Sequence, residues 1–445
     1  MTTDSFRNST ADANCGVAPV LASSSSNSLA PARLASSRLP SAVDPAAATP
    51  HVCNYTLSRC APEAPGTSSP AASFERSLMS LLVMIANLVR GFFDLPERLL
   101  IFLRRTSIYR SSCKEPVVAF GELLDHRGLI HGGAVKLLSL RDGMSNDEKI
   151  FNILYLVSSA QPRFAIDLVG QTRARGIPFV WNQNGVGYPA WAGWQSERQN
   201  GPMRWLRERA DYIIYQSQFC REAAEKFLGP CSTPGEILFN PVNLKKFVPL
   251  AERPSLKPLR LLTLGTHSYA ERVFSTLECL KILRMNGVEV TLTIAGKYLW
   301  PQGEAAVHQK IQELGLADGV TLLPPFHQEE AIRLYQSHHI LLHPKYLDPC
   351  PTVVIEALAS GCPVVGSASG GLPELISEEC GFLIPTPLCW DKMITPTGAQ
   401  LAEGVMNLFS RWESAATAAR ARAELLFDEV RWVERHREIF QNLLR

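Results

Sequence analysis

From residue 114 onward, short apolar runs alternate with longer amphipathic stretches. The runs VVAF (117–120), NILYLV (152–157), PFVWN (178–182) and DYIIYQ (211–216) each have the length and β-branched or aromatic content of a buried strand. Between them, apolar positions recur at helical spacing, which predicts repeated βα units around a parallel sheet. A second series follows in LRLLTLG (259–265), VEVTLTIAG (288–296), GVTLLP (319–324), HILLHP (339–344) and CPVVGS (362–367). The two series are separated by GEILFNPVNLKKFVPLAERPSLKP (235–258), a strand, a turn and a proline-punctuated connector. One sheet ending and another beginning across such a joint predicts an α/β protein of two Rossmann-like domains facing a cleft. The expected bounds are 114–242 for the first domain and 243–427 for the second. The stretch AELLFDEVRWVERHREIFQNLL (423–444) has helical periodicity. Its last part, 428–445, is expected to cross back and brace the first domain, with a simple cap on the second as the alternative.

Before residue 114 the pattern is lost. Residues 1–73 are rich in Ser, Ala and Pro, as in SSSSNSLAPARLASSRLP and APEAPGTSSPAAS, and offer little apolar surface to offset the entropy of ordering. A disordered leader is expected there. An organelle transit peptide, or a start codon placed too early with Met79 or Met84 as later starts, would look the same. Next comes 74–113, with the apolar run LMSLLVMIANLV (78–89) and then FFDLPERLLIFLRRTSIYR (92–110). The run falls short of the ~20 residues a spanning helix needs. A hydrophobic and basic helical segment of this kind suits a membrane interface, with Arg104, Arg105 and Arg110 near acidic headgroups, or packing on the protein's own surface.

Composition changes this picture little. A chain of 445 residues has room for two or three sizeable cores, and a net charge of +2 without a long basic run gives no footprint for nucleic acid. The 11 cysteines form no C-x-x-C pair and no zinc-type spacing, which fits a reduced, cytoplasmic setting and no structural metal. No G-x-S-x-G occurs, and no catalytic triad is legible. His131, His267 and His343 fall at strand-end loops without a metal-ligand partner nearby in sequence.

The chemistry-bearing stretch is DPCPTVVIEALASGCPVVGSASGGLPEL (348–375). It reads as a loop after a strand, a helix ending at Gly361, a further strand and a glycine turn. The loop-to-helix junction at Pro351-Thr352 presents free N–H groups and the positive end of a helix dipole, which suits a phosphate. Pro351 suits the helix entry and Thr352 is expected to cap it. Glu356, one turn inside, has the chemistry to grip a vicinal diol such as a ribose. Asp348 in the loop would lie nearer the group beyond a diphosphate. Gly370-Gly371 is expected to let backbone approach the ligand closely.

This segment resembles the donor signature of the large retaining GT-B glycosyltransferases, the group 1 or family-four type. Their pattern is Glu, seven residues, Glu, then Ala-x-Gly-x-Pro-Val-Val and Gly-Gly-x-x-Glu. Here the first Glu is Asp348, followed by Glu356, ALASGCPVVGS and GGLPEL. The resemblance extends from about residue 235 to 445, and FNPVNLKKFVP is similar to the family's interdomain joint. It implies transfer of a sugar from a nucleotide-diphospho-sugar to a hydroxyl acceptor with retention, without a metal or other cofactor. The acceptor would be a glycan, a lipid-linked group or a polysaccharide. Residues 76–110 alone suggest peripheral association with the inner face of a membrane.

The resemblance also assigns residues. Asp348 would meet the donor sugar, Glu356 the ribose and Arg272 the diphosphate, with Gly265, Pro351, Thr352, Val353, Gly370, Gly371 and Glu374 shaping the donor pocket. Lys345 and Lys297 stand at strand ends within reach of phosphate. The residue after Gly265, commonly Arg in the family, is Thr266 here. In the first half, Gly132-Gly133 matches a family glycine pair near the bond-forming site. Where the family carries a His, WNQNGVGYPAWAGW (181–194) has Asn182, Gln183 and Asn184, followed by Gly185. Amides and aromatic faces suit an acceptor sugar, although Trp181, Tyr188, Trp191 and Trp194 would equally build a local core. The alternative from another class is a non-catalytic sugar-nucleotide-binding or assembly subunit. A phosphorylase or an epimerase fits the Asp348–Glu356 spacing with GGLPE less well.

Overall fold

The computed structural model describes residues 108–121, 132–162 and 164–445. The leader expected over 1–73, almost all of the 74–113 segment and His131 lie outside these residues.

The described chain enters through β1 (Tyr109–Arg110), β2 (Val118–Ala119), α1 (Gly132–Gly143), β3 (Ile150–Phe151) and β4 (Ile153–Val157). It continues through α2 (Ala165–Ala174), β5 (Phe179–Gln183), α3 (Pro189–Ala192), α4 (Ser196–Arg207), β6 (Tyr212–Tyr215), α5 (Gln218–Leu228) and β7 (Gly235–Ile237). Strands β2-β4-β5-β6-β7 form one parallel sheet, while β1 and β3 pair as a small separate one. Every residue of β4 and β5 is buried. That is why these strands read as continuous apolar runs instead of alternating: helices cover both faces of the sheet. On one face Leu168 and Val169 of α2, Leu206 of α4 and Ala223 of α5 pack on Phe179 and Trp181.

The second series gives β8 (Leu259–His267), α6 (Ala270–Met285), β9 (Val290–Tyr298), α7 (Gly303–Leu314), β10 (Val320–Leu323), α8 (Gln328–Ser337) and β11 (Ile340–His343). After these come α9 (Thr352–Ala359), β12 (Val364–Ala368), α10 (Leu372–Leu375), β13 (Gly381–Pro385), α11 (Gly398–Phe409), α12 (Trp412–Leu426) and α13 (Glu429–Leu444). The sheet is parallel, in the order β10-β9-β8-β11-β12-β13. Each half is thus a doubly wound α/β unit with its own apolar core.

Helix α13 buries Trp432, His436, Ile439 and Phe440, spaced so that they share one face. That face packs on the outer side of the first sheet, against Tyr155, Leu137 and Leu140. At its start, Glu429 accepts from Ser139 Oγ (2.6 Å) in α1 and from Asn243 Nδ2 (2.7 Å) in the joint between the halves. No helix among the described residues is long and apolar enough to cross a membrane.

Candidate functional site

A cavity of about 520 Å³ lies between the two halves, at the carboxyl ends of both sheets. From the first half it is lined by Gly133, Ser158, Ser159, Asn184, Gly185, Tyr188 and Trp191. The second half supplies Gly265, Thr266, His267 and Arg272 from the end of β8 and the start of α6, and His343, Lys345, Asp348, Pro351, Thr352 and Val353 after β11. A larger cavity of about 740 Å³, between residues 110–115 and the end of α13, carries none of the motif residues.

The wall after β11 is shaped by backbone. Leu347 takes a positive φ of 50°, turning the chain sharply before Asp348. The glycine pair explains why that turn holds. Gly370 (φ 65°) lies against the backbone of Leu347 and Asp348, and Gly371 against the carbonyl of Pro349, so a Cβ at either would overlap main chain. Gly371 N–H also donates to Asp348 O (2.9 Å). The sequence leads one to expect this pair against a ligand. In the structure the close approach is to the protein's own loop, and neither glycine lines the cavity.

Helix α9 starts one residue earlier than a cap at Thr352 would require. Pro351 occupies the N-cap position, Thr352 is the first helical residue, and no side chain caps the helix. Proline has no donor and no side-chain acceptor, so the first-turn N–H groups beside Thr352 and Val353 are left facing the cavity.

Charge is concentrated on this wall. Arg272 is only 7% exposed, its guanidinium 4.8 Å from the centre of the Tyr269 ring. Among the described residues, no acceptor bonds its N–H groups and no carboxylate lies within ion-pair distance. Burial pulls its pKa down, and only the field of nearby Asp348 and other acidic groups works against that. Asp348 itself is buried and accepts from His343 Nε2 (3.2 Å) and Lys345 Nζ (2.8 Å). Burial works to raise its pKa, but the Lys345 charge and the His343 bond outweigh that and hold the carboxyl well below the usual range. His267, bonded to Ala295 O (3.1 Å), is pushed down to about 4 by burial and is neutral. Tyr188 is pushed upward by burial and stays a phenol.

Several expected residues stand off the cavity. Glu356 is buried one turn behind Thr352 on the same face of α9, where its two oxygens accept from Gln328 Nε2 (2.7 Å) and Tyr335 OH (3.0 Å). Burial raises its pKa to about 7. Glu374, expected on the donor side, instead caps α5 of the first half through the N–H groups of Gln218 and Phe219. A carboxylate there satisfies two orphan donors and meets the positive helix end. Lys297 follows Gly296 near the end of β9 and does not line the cavity. Gly132 opens α1 while Gly133 reaches the cavity. Asn182 is buried behind Asn184, which is on the wall.

The aromatic loop divides. Trp181 is core, whereas Trp191 and Trp194 are exposed, Trp194 at 83%. Tyr188 packs with Phe219 and Phe227 around Trp390, and Ala190 N–H donates to Trp390 O (2.8 Å). Trp390 comes from the second half, in the loop 386–397, which no periodicity in the sequence singles out. Among the described residues no group of three or more His, Cys, Asp or Glu side chains could hold a metal ion.

Residues 251–395 match the family described as "Glycosyl transferases group 1". The chain is 38% identical over 109 residues to the D-inositol 3-phosphate glycosyltransferase of Mycobacteroides abscessus, which is 23% of this chain and 24% of that protein. It is 27% identical over 235 residues to the glycogen synthase of Mycobacterium tuberculosis, 51% of this chain and 52% of that one. The match thus spans about a quarter and about half of these relatives' lengths. Among solved structures, the Anabaena protein HepE in complex with UDP superposes with a TM-score of 0.55 at 17% identity, covering 70% of this chain and 82% of that one. Sucrose-phosphate synthase from Thermosynechococcus elongatus gives 0.54 at 19% identity, covering 70% and 77%.

Proposed function

We propose that the chain transfers a sugar from a nucleotide-diphospho-sugar to a hydroxyl acceptor, a reading supported by the match of residues 251–395 to the group 1 glycosyl transferases and by the two Rossmann-like halves. One observation carries this reading. The buried Arg272 guanidinium, without a protein acceptor, shares a cavity wall with the uncapped start of α9. A buried cation and helix N–H groups that no protein acceptor satisfies together have the chemistry of an anion site.

In this reading the diphosphate lies between Arg272 and the N–H groups at Thr352 and Val353, with Lys345 turning to it from Asp348. Gly265 and Thr266 line the floor. The ribose reaches Glu356, one turn along the same helix face, and displaces the Gln328 amide. Asp348 meets the donor sugar, held as a carboxylate by His343. The opposite wall, with Gly133, Asn184 and Gly185, takes the acceptor, a glycan or a lipid-linked hydroxyl.

The bond from the anomeric carbon to the diphosphate oxygen breaks as the acceptor oxygen bonds the same carbon from the same face. The departing phosphate takes the acceptor proton, and configuration is retained. Arg272, Lys345 and the helix end stabilise the leaving charge, so the step needs no divalent ion. Glu374 and Trp390 hold the halves together and limit water, hence donor hydrolysis.

Thr266, where the family commonly has Arg, favours one second reading: a subunit that binds the sugar nucleotide without turning it over. The test is thermal unfolding of the full chain with UDP, GDP, ADP, CMP and their sugar conjugates. A ligand at 100 times its Kd adds ~2.7 kcal/mol to stability. Selective stabilisation by one nucleotide supports the donor site, and consumption of its sugar conjugate separates enzyme from binding subunit. No shift with any of them contradicts both readings.

A further inference from the structure

Lys136, in α1 of the first half, is 1% exposed. Among the described residues no carboxylate lies within ion-pair distance of it. Its Nζ donates instead to Asn182 Oδ1 and Asn184 Oδ1, both at 2.9 Å. A buried ammonium held only by amide oxygens is costly, and an apolar side chain would pack there more cheaply.

The bonds around it run in one direction. His436 in α13 bonds Trp432 O through Nδ1 (2.8 Å), and a carbonyl only accepts, so Nδ1 carries the hydrogen. Nε2 therefore accepts from Tyr155 OH (3.1 Å), and Tyr155 accepts in turn from Asn182 Nδ2 (2.8 Å). From the other side, a lysine amine that donates to Asn184 Oδ1 turns Asn184 Nδ2 away, onto Ser159 Oγ. The Asn184 backbone N–H is fixed on Ser158 Oγ (2.9 Å). Asn184, Ser158 and Ser159 line the cavity; Lys136 does not.

We propose that Lys136 is a positioning residue, which fixes the carboxamide of Asn184 and, through it, the Ser159 hydroxyl in the donor pattern that the cavity's first-half wall presents to an acceptor hydroxyl. With Asn184 Nδ2 on its oxygen, Ser159 is left to donate its own O–H into the cavity. The proposal rests on the glycosyl-transfer reading of this site, and it deepens the acceptor side of it. It also joins α13 to that wall through His436, Tyr155 and Asn182.

The network contains one group that changes charge near neutrality. Burial pushes Lys136 down to about 7. The groups facing it are Cys220 from α5, Cys350 from the loop before α9, and His436 from α13. Burial raises both thiols and lowers His436 to about 3, so all three stay neutral there.

The test uses the full chain, with Asn side-chain amide exchange followed by NMR and with hydrolysis of the nucleotide sugar that stabilises it most. In Lys136→Met, the Asn184 amide protons should lose exchange protection. Turnover should fall about 10- to 100-fold while nucleoside diphosphate affinity stays within about twofold. Lys136→Gln, which keeps an N–H donor, should recover part of the rate. Asn184→Asp puts a carboxylate beside the amine and should move the basic limb of the rate profile up by about one pH unit or more. Retained Asn184 protection in Lys136→Met, or an equal loss of nucleotide affinity and turnover, overturns the proposal. A wild type that no nucleotide or nucleotide sugar stabilises removes the glycosyl-transfer reading instead, and the amide exchange then decides the positioning role alone.

Discussion

Glu374, in the second half, caps the helix that opens at Gln218 in the first: its Oε2 accepts from Gln218 N (2.6 Å) and its Oε1 from Phe219 N (2.9 Å). Ser217, the N-cap of that helix, donates to Pro349 O (2.8 Å) in the loop beside Asp348. The end of that helix, the Asp348 loop and the glycine turn are therefore one unit, and closure of the cleft is written into hydrogen bonds between the halves. Glu374→Ala removes a charged cap and should cost about 1–2 kcal/mol of stability. Chemical denaturation checks this, and an unchanged midpoint would mean that the halves close without the cap.

Arg272 should matter for phosphate alone. Arg272→Gln is expected to weaken nucleoside diphosphate binding at least about tenfold, the range of a lost charge-assisted bond. Binding of the matching nucleoside, which carries no phosphate, should be unchanged. Titration calorimetry with the two ligands separates a phosphate clamp from a general loss of fold.

Glu356 makes a prediction in pH. Its folded pKa is raised from 4.5 to about 7 by burial. The stability it contributes is fully present below pH 4.5 and is lost as pH rises through about 7. Glu356→Gln cannot ionise, so it should gain on the wild type between those values, by up to about 3 kcal/mol. Denaturation midpoints of both proteins at pH 5 and pH 8 test this, and parallel values would contradict it. The same variant should bind nucleotide about tenfold more weakly if the carboxylate holds the ribose.

Gly371→Ala should be severe. A methyl at this position meets the Pro349 carbonyl, which belongs to the loop that carries Asp348 and Pro351. Backbone cannot yield as a side-chain tip can, so the loop must shift. Stabilisation by nucleotide should disappear, together with about 1–3 kcal/mol of stability. Retention of both would show that this loop tolerates movement.

The sequence reveals some parts of this architecture and hides others, for physical reasons. Strands β4, β5 and β11 are buried throughout, as is β8 from Leu261 to Leu264, and their short apolar runs mark them closely. The loop from Asp348 to α9 is legible because its acid, prolines and helix start are contiguous. Lys136 is not: in GGAVKLLSL it reads as a solvated helix charge, and its amide partners lie more than forty residues further on. Trp390 sits in a loop without period and finds Phe219 only in the folded state. Glu374 belongs to a motif legible in the sequence, but the helix it caps lies 155 residues away, so its contact could not be read there.

Nucleotide release tests the donor site most directly. The full chain and its Arg272→Gln variant would be incubated with UDP-, GDP- and ADP-sugars, and freed nucleoside diphosphate would be measured over time. The wild type should release nucleoside diphosphate from one nucleotide class, and the variant should do so at least about tenfold more slowly at subsaturating donor. No release from any donor, or equal release by both proteins, would contradict the donor-site reading.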